Sequence, residues 1–121
     1  MRYRNPLKRL VNASRYSLDG LLYALKNEQA FQYEAIIFVA VCVALCFVPL
    51  TLTEKIFALF SWLVVMALEL VNSATEKAFD LIDKNFRTEI KAGKDMLSAA
   101  IFITVCFNIF LWGVFILKAF Q

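Results

Sequence analysis

Long apolar stretches alternate along this chain with short charged intervals. Three runs, Ala35 to Leu52, Ile56 to Val71 and Leu97 to Leu117, are free of charge except at Glu69. A helix that crosses the roughly 30 Å hydrocarbon core of a bilayer needs about 20 residues, within a range of about 17 to 25. The first and third runs meet that length outright. The second meets it only by including Glu69 or the residues beyond it, which puts a carboxylate near one end of a span. No breaker interrupts the chain from Glu54 to Asp83, on the order of 45 Å of helix at about 1.5 Å per residue. Its last turns, with Glu76, Asp80 and Asp83, must therefore emerge from the membrane.

Ahead of the spans, Arg9 to Glu34 reads as a further helix, with Leu10, Tyr16, Leu21, Leu25 and Phe31 among its apolar positions and charged residues between them. That mixture suits a helix lying on the membrane surface, with Gly20 as a point of bending. The pattern predicts an all-α membrane protein: a leader and amphipathic surface helix over 1–34, transmembrane helices at 35–52, 54–83 and 96–118, and a polar loop at 84–95 around Gly93. Pro49 and the sequence LTLTEK behind it predict a tight turn with Thr53 capping the second span, since Thr is a favoured N-cap. Asn108, a lone amide in the third span, predicts a hydrogen bond between helices.

Composition strengthens the membrane reading. Of the 121 residues, 61% are hydrophobic and the mean hydropathy is +0.66, above the apolar share of an ordinary soluble domain. The first twenty residues are basic but have no apolar core behind them, so no cleavable signal peptide is expected. Eleven of the thirteen Lys and Arg residues lie before the first run or between the second and third; the others are Lys55 and Lys118. The positive-inside rule then predicts a cytoplasmic N-terminus and a C-terminus on the opposite side. A net charge of +3 spread over membrane-flanking segments fits anionic lipid headgroups and argues against nucleic acid. Cys42, Cys46 and Cys106 all fall in spans, without metal-ligand spacing, and read as small packing residues.

The candidate chemistry lies on the second span. Glu69, Asn72, Ser73, Glu76, Asp80 and Asp83 follow at intervals of 3, 1, 3, 4 and 3, which sets them along one helical face running out of the membrane. A carboxylate within a span is costly and raises a functional hypothesis; its structural alternative is a polar contact between helices. Glycines stand only at 20, 93 and 113, and there is no histidine. A P-loop, a Gly-rich kinase loop and a histidine acid or base are therefore excluded. Phosphoryl chemistry would have to hold its metal on carboxylates, and Mg²⁺ suits one or two of these together with phosphate oxygens. Glu76 and an acid of the leader, Glu28 or Glu34, stand at the right depth.

The stretches ELVNSATEKAFD, KDMLSAA and NEQAFQYE together resemble the small integral-membrane diacylglycerol kinases of bacteria, over essentially the whole chain from Arg9 to the third span. The motif E-x-x-N-S-x-x-E, followed 18 residues later by K-D, is the specific part of the likeness. It implies a homotrimer in the bacterial inner membrane, with active sites at subunit boundaries, that moves the γ-phosphate of MgATP to a lipid hydroxyl. Carried over by position, Glu69 would be the general base, with Asn72 orienting base and acceptor, and Glu28 and Glu76 would hold Mg²⁺. Arg9, Tyr16, Asn85, Phe86, Arg87, Lys94 and Asp95 would contact ATP. Arg9, Ser14, Ser17, Phe31, Glu34, Glu69 and Ser98 would line the lipid site. Relatives commonly show an acidic residue at Asn85, a histidine at Arg87 and a small residue at Leu97. An undecaprenol kinase of the same family is the nearest alternative, and a small transporter using Glu69 as a coupling carboxylate is a second. The transporter leaves Asn72, Glu76, Asp80 and the K-D element unexplained.

Overall fold

The computed structural model describes residues 5–82 and 87–121, and all four of its elements are helices. The first, α1, spans Pro6–Asn27. It begins three residues earlier than Arg9 because Asn5 and Pro6 form a start signal: Asn5 Oδ1 accepts from the Leu7 amide at 3.0 Å, and proline at N1 has no amide to leave unpaired. Gly20 lies within this unbroken helix.

The leader helix does not continue to Glu34. It stops at Asn27, and Glu28 takes an extended conformation (φ −108°, ψ 108°) before α2 begins at Gln29. Side chains stabilise this break. Asn27 Nδ2 donates to the Tyr23 carbonyl at 3.0 Å, and Gln32 Nε2 reaches back from α2 to the Leu25 carbonyl at 2.9 Å. Both acceptors belong to the last two turns of α1, and the Leu25 carbonyl is one of the final four that lack a helical partner. Glu28 thus stands at the corner between the leader and the first span.

The first span, α2, covers Gln29–Phe47, beginning and ending before the expected 35–52. Pro49 explains its end: the residue before a proline is driven out of the α region, and Val48 sits at φ −85°, ψ 138°. The second span, α3, covers Leu52–Ile82. Its cap is Thr51, not Thr53. The Glu54 amide donates to Thr51 Oγ1 at 3.2 Å, and the Thr51 amide donates to Glu54 Oε1 at 3.0 Å. This reciprocal pair is the capping box of the sequence T-L-T-E. Thr53, the second residue inside the helix, stands two positions too late.

The last helix, α4, covers Thr88–Ala119, so most of the segment expected as a loop is helical. Gly93 lies inside it, where it admits the ring of Phe79 from α3. Each of α2, α3 and α4 is long and apolar enough to cross a membrane, and the chain is a multi-pass membrane protein with an additional N-terminal helix.

Helices α2 and α4 both pack on α3, and α1 packs on α2. Small side chains let the backbones approach, as is usual between helices in lipid. Ala58 of α3 is fully buried, and it joins Leu45, Leu111 and Phe115 in a cluster near the start of α3 and the end of α4. Asn108 makes the bond between helices that its position predicted. Its Nδ2 donates to the Ser61 carbonyl at 3.1 Å and to the Thr104 carbonyl at 2.9 Å, while Ser61 Oγ lies 2.9 Å from Asn108 Oδ1. Large side chains such as Ile103, Phe110 and Leu117 remain exposed on α4, as lipid or neighbouring helices require.

Candidate active site

The acidic face of α3 begins with Glu69, which is only 7% exposed although it carries a carboxylate. Its close polar neighbour is Asn72, one turn along, whose Nδ2 lies 3.5 Å from Glu69 Oε1. Glu69 also lies in electrostatic reach of Glu28 and Glu76, and Glu34 in reach of Glu69. Four carboxylates from α2, α3 and the α1–α2 corner therefore converge on one end of the bundle. Burial sets them apart: Glu69 is enclosed, Glu28 and Glu34 are half-buried, and Glu76 is exposed.

The first span positions Glu34 through its backbone. Trp62 of α3 donates its indole N–H to the Glu34 carbonyl at 2.9 Å. The side-chain oxygen Glu34 Oε1 is shielded from solvent and has no hydrogen-bond partner among the described residues. Phe31, three residues earlier, is 2% exposed and belongs to the same buried corner.

Between α1 and α3 lies a cleft of about 560 Å³, a volume typical of small-molecule sites. Its walls are mainly apolar, from Gly20, Leu21 and Ala24 on one side and Leu70 and Ala74 on the other, with Ser17, Ser73, Glu28 and Lys77 as polar points. Lys77 Nζ sits 2.6 Å from Glu28 Oε1 and 5.4 Å from the centroid of the Tyr23 ring. Ser73 belongs to the polar face that the sequence marks on this helix, whereas Lys77 and Tyr23 are residues that sequence reasoning did not place here. Lys77 had counted only as a topology charge, although it follows Ser73 by the four residues that share a helical face.

The remaining expected residues fall in three groups. Ser14 and Ser17 are on α1, and their hydroxyls donate to the carbonyls of Leu10 at 3.0 Å and Ala13 at 2.9 Å; Ser17 alone of the two lines the cleft. Arg9 and Tyr16 are exposed nearer the start of α1. On α4, Lys94 Nζ lies 3.3 Å from Asp80 of α3, while Asp95 pairs with Lys91 at 2.5 Å. Ser98 is exposed one turn further on, and Arg87 is exposed at the start of the helix. Asp83 of the acidic stripe, Asn85 and Phe86 lie outside the described residues. The structure thus joins Glu28, Glu34, Glu69 and Asn72 with Glu76 close by, and it ties the K-D element to the same end through Asp80.

No cluster of three or more acidic, cysteine or histidine ligands forms among the described residues. Zinc-like cages are therefore not what this donor set builds. A few separate carboxylates at one end of the bundle, with Glu28 lining the cleft, match the habits of Mg²⁺, which keeps waters and phosphate oxygens in its shell. Glu28 and Glu76 fit that role by their oxygen chemistry and their position outside the buried Glu69.

The fold and this site define a class: a small multi-span membrane protein with a carboxylate centre where a buried helix face meets an amphipathic leader. The family profile of prokaryotic diacylglycerol kinase matches residues 15–116. The chain is also 39% identical over 107 residues to a diacylglycerol kinase of Haemophilus influenzae, covering 88% of this chain and 91% of that one. It is 34% identical over 115 residues to one of Helicobacter pylori (91% and 86%) and 31% identical over 104 residues to one of Escherichia coli (86% and 85%). The chain belongs to the prokaryotic diacylglycerol kinase family.

Proposed function

We propose that this protein is an ATP-dependent lipid kinase that transfers the γ-phosphate of MgATP to the hydroxyl of diacylglycerol, giving phosphatidic acid. The observation that carries the reading, given the family, is Glu69: a buried carboxylate on a span, in electrostatic reach of two more exposed acids. A membrane lipid keeps its acyl chains in the bilayer and its hydroxyl at the interface, so a base for that hydroxyl belongs at the depth of Glu69. The nucleotide arrives from water, and its metal ligands belong further out, where Glu76 and Glu28 are.

In this reading Glu69 takes the hydroxyl proton as the lipid oxygen bonds to the γ-phosphorus. The bond from that phosphorus to the bridging oxygen breaks, and ADP leaves. Asn72 holds Glu69 in orientation. Bound Mg²⁺ supplies charge neutralisation on the phosphates, and Glu28 and Glu76 are the groups that hold it. Lys94 and Asp95 meet the nucleotide, and Ser17, Phe31, Glu34 and Ser98 meet the lipid. Catalysis by positioning and electrostatic stabilisation is what phosphoryl transfer asks of a protein.

The carboxylate end faces the cytoplasm, because eleven of the thirteen Lys and Arg residues flank it. The apolar side chains left exposed on α4 suit a homotrimer in the inner membrane with sites at subunit boundaries. ATP-dependent phosphorylation in mixed micelles tests the reading, comparing diacylglycerol with undecaprenol on the wild type and on Glu69→Gln. Turnover on diacylglycerol that is lost in the variant supports it. Preference for undecaprenol moves the protein to the polyprenol branch, and no phosphorylation of either lipid by folded wild type overturns the reading.

A further inference from the structure

Lys77 stands between two hollows. On one side is the α1–α3 cleft with Glu28, and on the other a more open hollow of about 460 Å³ lined by Tyr23, Lys77, Asp80 and Leu81. Its ammonium rests 2.6 Å from Glu28 Oε1, on the carboxylate that the proposed function gives to the metal. We propose that Lys77 is the resident counter-cation of Glu28, displaced into the second hollow when a divalent cation binds, and that it thereby sets how much metal the site requires. The inference rests on the reading of Glu28 as a metal ligand.

Three features of the geometry support a displaceable cation rather than a permanent staple. Burying part of a carboxylate costs less when a cation pairs with it, and Glu28, at the break between α1 and α2, has that cation in Lys77 across the cleft. An ammonium and a divalent ion repel each other and cannot share the oxygen at contact distance. Lys77 is also free to leave. Its side chain is 52% exposed, against 22% for Glu28, and a lysine is a point charge on a flexible stem with no fixed fork to hold it. A landing place is at hand, since the Tyr23 ring offers its face at 5.4 Å, and Asp80 lines the second hollow at the end of a longer 3.3 Å pair with Lys94.

The experiment titrates Mn²⁺, an EPR-visible replacement for Mg²⁺, into the full-length protein in detergent micelles with a non-hydrolysable ATP analogue present. Wild type is compared with Lys77→Met, Lys77→Arg and Glu28→Gln, each checked for wild-type elution on gel filtration. Lys77→Met should lower the Mn²⁺ concentration at half-occupancy roughly fivefold to tenfold, the effect of withdrawing a unit charge from beside a divalent ion at a half-exposed site. Lys77→Arg, which keeps the charge and adds a fork that grips a carboxylate, should leave the requirement at the wild-type level or raise it, and should not lower it. Glu28→Gln should raise the requirement. A role confined to fastening α1 would loosen the cleft and weaken metal binding in Lys77→Met. An unchanged or raised requirement in that variant, with Glu28→Gln raising it as well, overturns the counter-cation and leaves the metal reading intact. An unchanged requirement in Glu28→Gln overturns both.

Discussion

Phe79 fills the space that a side chain on Gly93 would need: a Cβ at Gly93 would lie 2.7 Å from Phe79 Cζ and 3.1 Å from Cε2. The contact fixes how close α3 and α4 run beyond the buried core, and one helical position further along each, Asp80 meets Lys94 at 3.3 Å. The glycine therefore sets the spacing of two elements that the proposed nucleotide site draws on.

Gly93→Leu should force the helices apart there, at a cost of about 1–3 kcal/mol for overpacking. It should also raise the KM for ATP more than that for the lipid. Gly93→Ala should be nearly neutral, because the ring end is free to shift and the added methyl improves helix propensity by up to about 1 kcal/mol. Adding Phe79→Ala to Gly93→Leu should restore ATP affinity. Failure of that rescue, measured by nucleotide titration, would show that the two positions do not share the space.

Ser61 and Asn108 should be coupled energetically. The Ser61 hydroxyl lies 2.9 Å from both the Ala58 carbonyl and Asn108 Oδ1, and it has one proton for the two acceptors. Ser61→Ala leaves Asn108 Oδ1 without its donor, whereas Asn108→Leu leaves the hydroxyl its bond to Ala58. Hydrogen bonds between membrane helices average about 0.6 kcal/mol and reach about 1.7. A double-mutant cycle by reversible unfolding in mixed micelles should give a coupling of about 0.5–1.5 kcal/mol. Additive single mutants would deny the contact.

The far end of the bundle is fastened by Glu54, which both closes the capping box with Thr51 and accepts from Lys118 Nζ at 2.6 Å. Thr51→Ala should cost about 1 kcal/mol, as cap removals do, and the loss should be insensitive to salt. Lys118→Met should have a smaller effect that disappears at high ionic strength, because the pair is partly exposed and screened. Unfolding at low and high salt separates the two contributions.

The three spans and the acidic stripe were legible in the sequence because lipid imposes length and apolarity on a spanning helix, and because a carboxylate such as Glu69 stands out against that background. The corners were less legible. Glu28 interrupts two helices without a glycine or proline, and the break depends on Gln32 reaching back seven residues to Leu25, a tertiary contact that no local propensity encodes. Gly93 looked like a loop residue because glycine is a poor helix former, yet it is a packing residue whose reason is Phe79 from another helix. Thr51 and Glu54 did carry a readable capping box, and Asn5-Pro6 a readable helix start. Lys77 was invisible as a site residue because its partners, Glu28 and Tyr23, come from elements whose placement the sequence leaves open.

Glu69 and Glu76 should separate chemistry from binding. They stand seven positions apart on one helix, about 10 Å of rise, and their surroundings differ: Glu69 is buried with Asn72 beside it, while Glu76 is exposed. Glu69→Gln keeps the shape and removes the base, so kcat should fall by roughly 10²–10⁴, the usual worth of a positioned proton acceptor, with the metal–nucleotide affinity unchanged. Glu76→Gln removes a ligand, so the metal concentration at half-saturation should rise together with the KM for ATP. Asn72→Ala should lower kcat less than Glu69→Gln does, because it loosens the base without deleting it, and Asn72→Asp should not rescue it, since a second carboxylate beside Glu69 cannot donate as the amide does. Steady-state kinetics at several metal concentrations, with equilibrium binding of a non-hydrolysable ATP analogue, distinguish the patterns. A Glu69→Gln variant that loses nucleotide binding along with turnover would assign Glu69 to the metal site and leave the lipid hydroxyl without its proposed base.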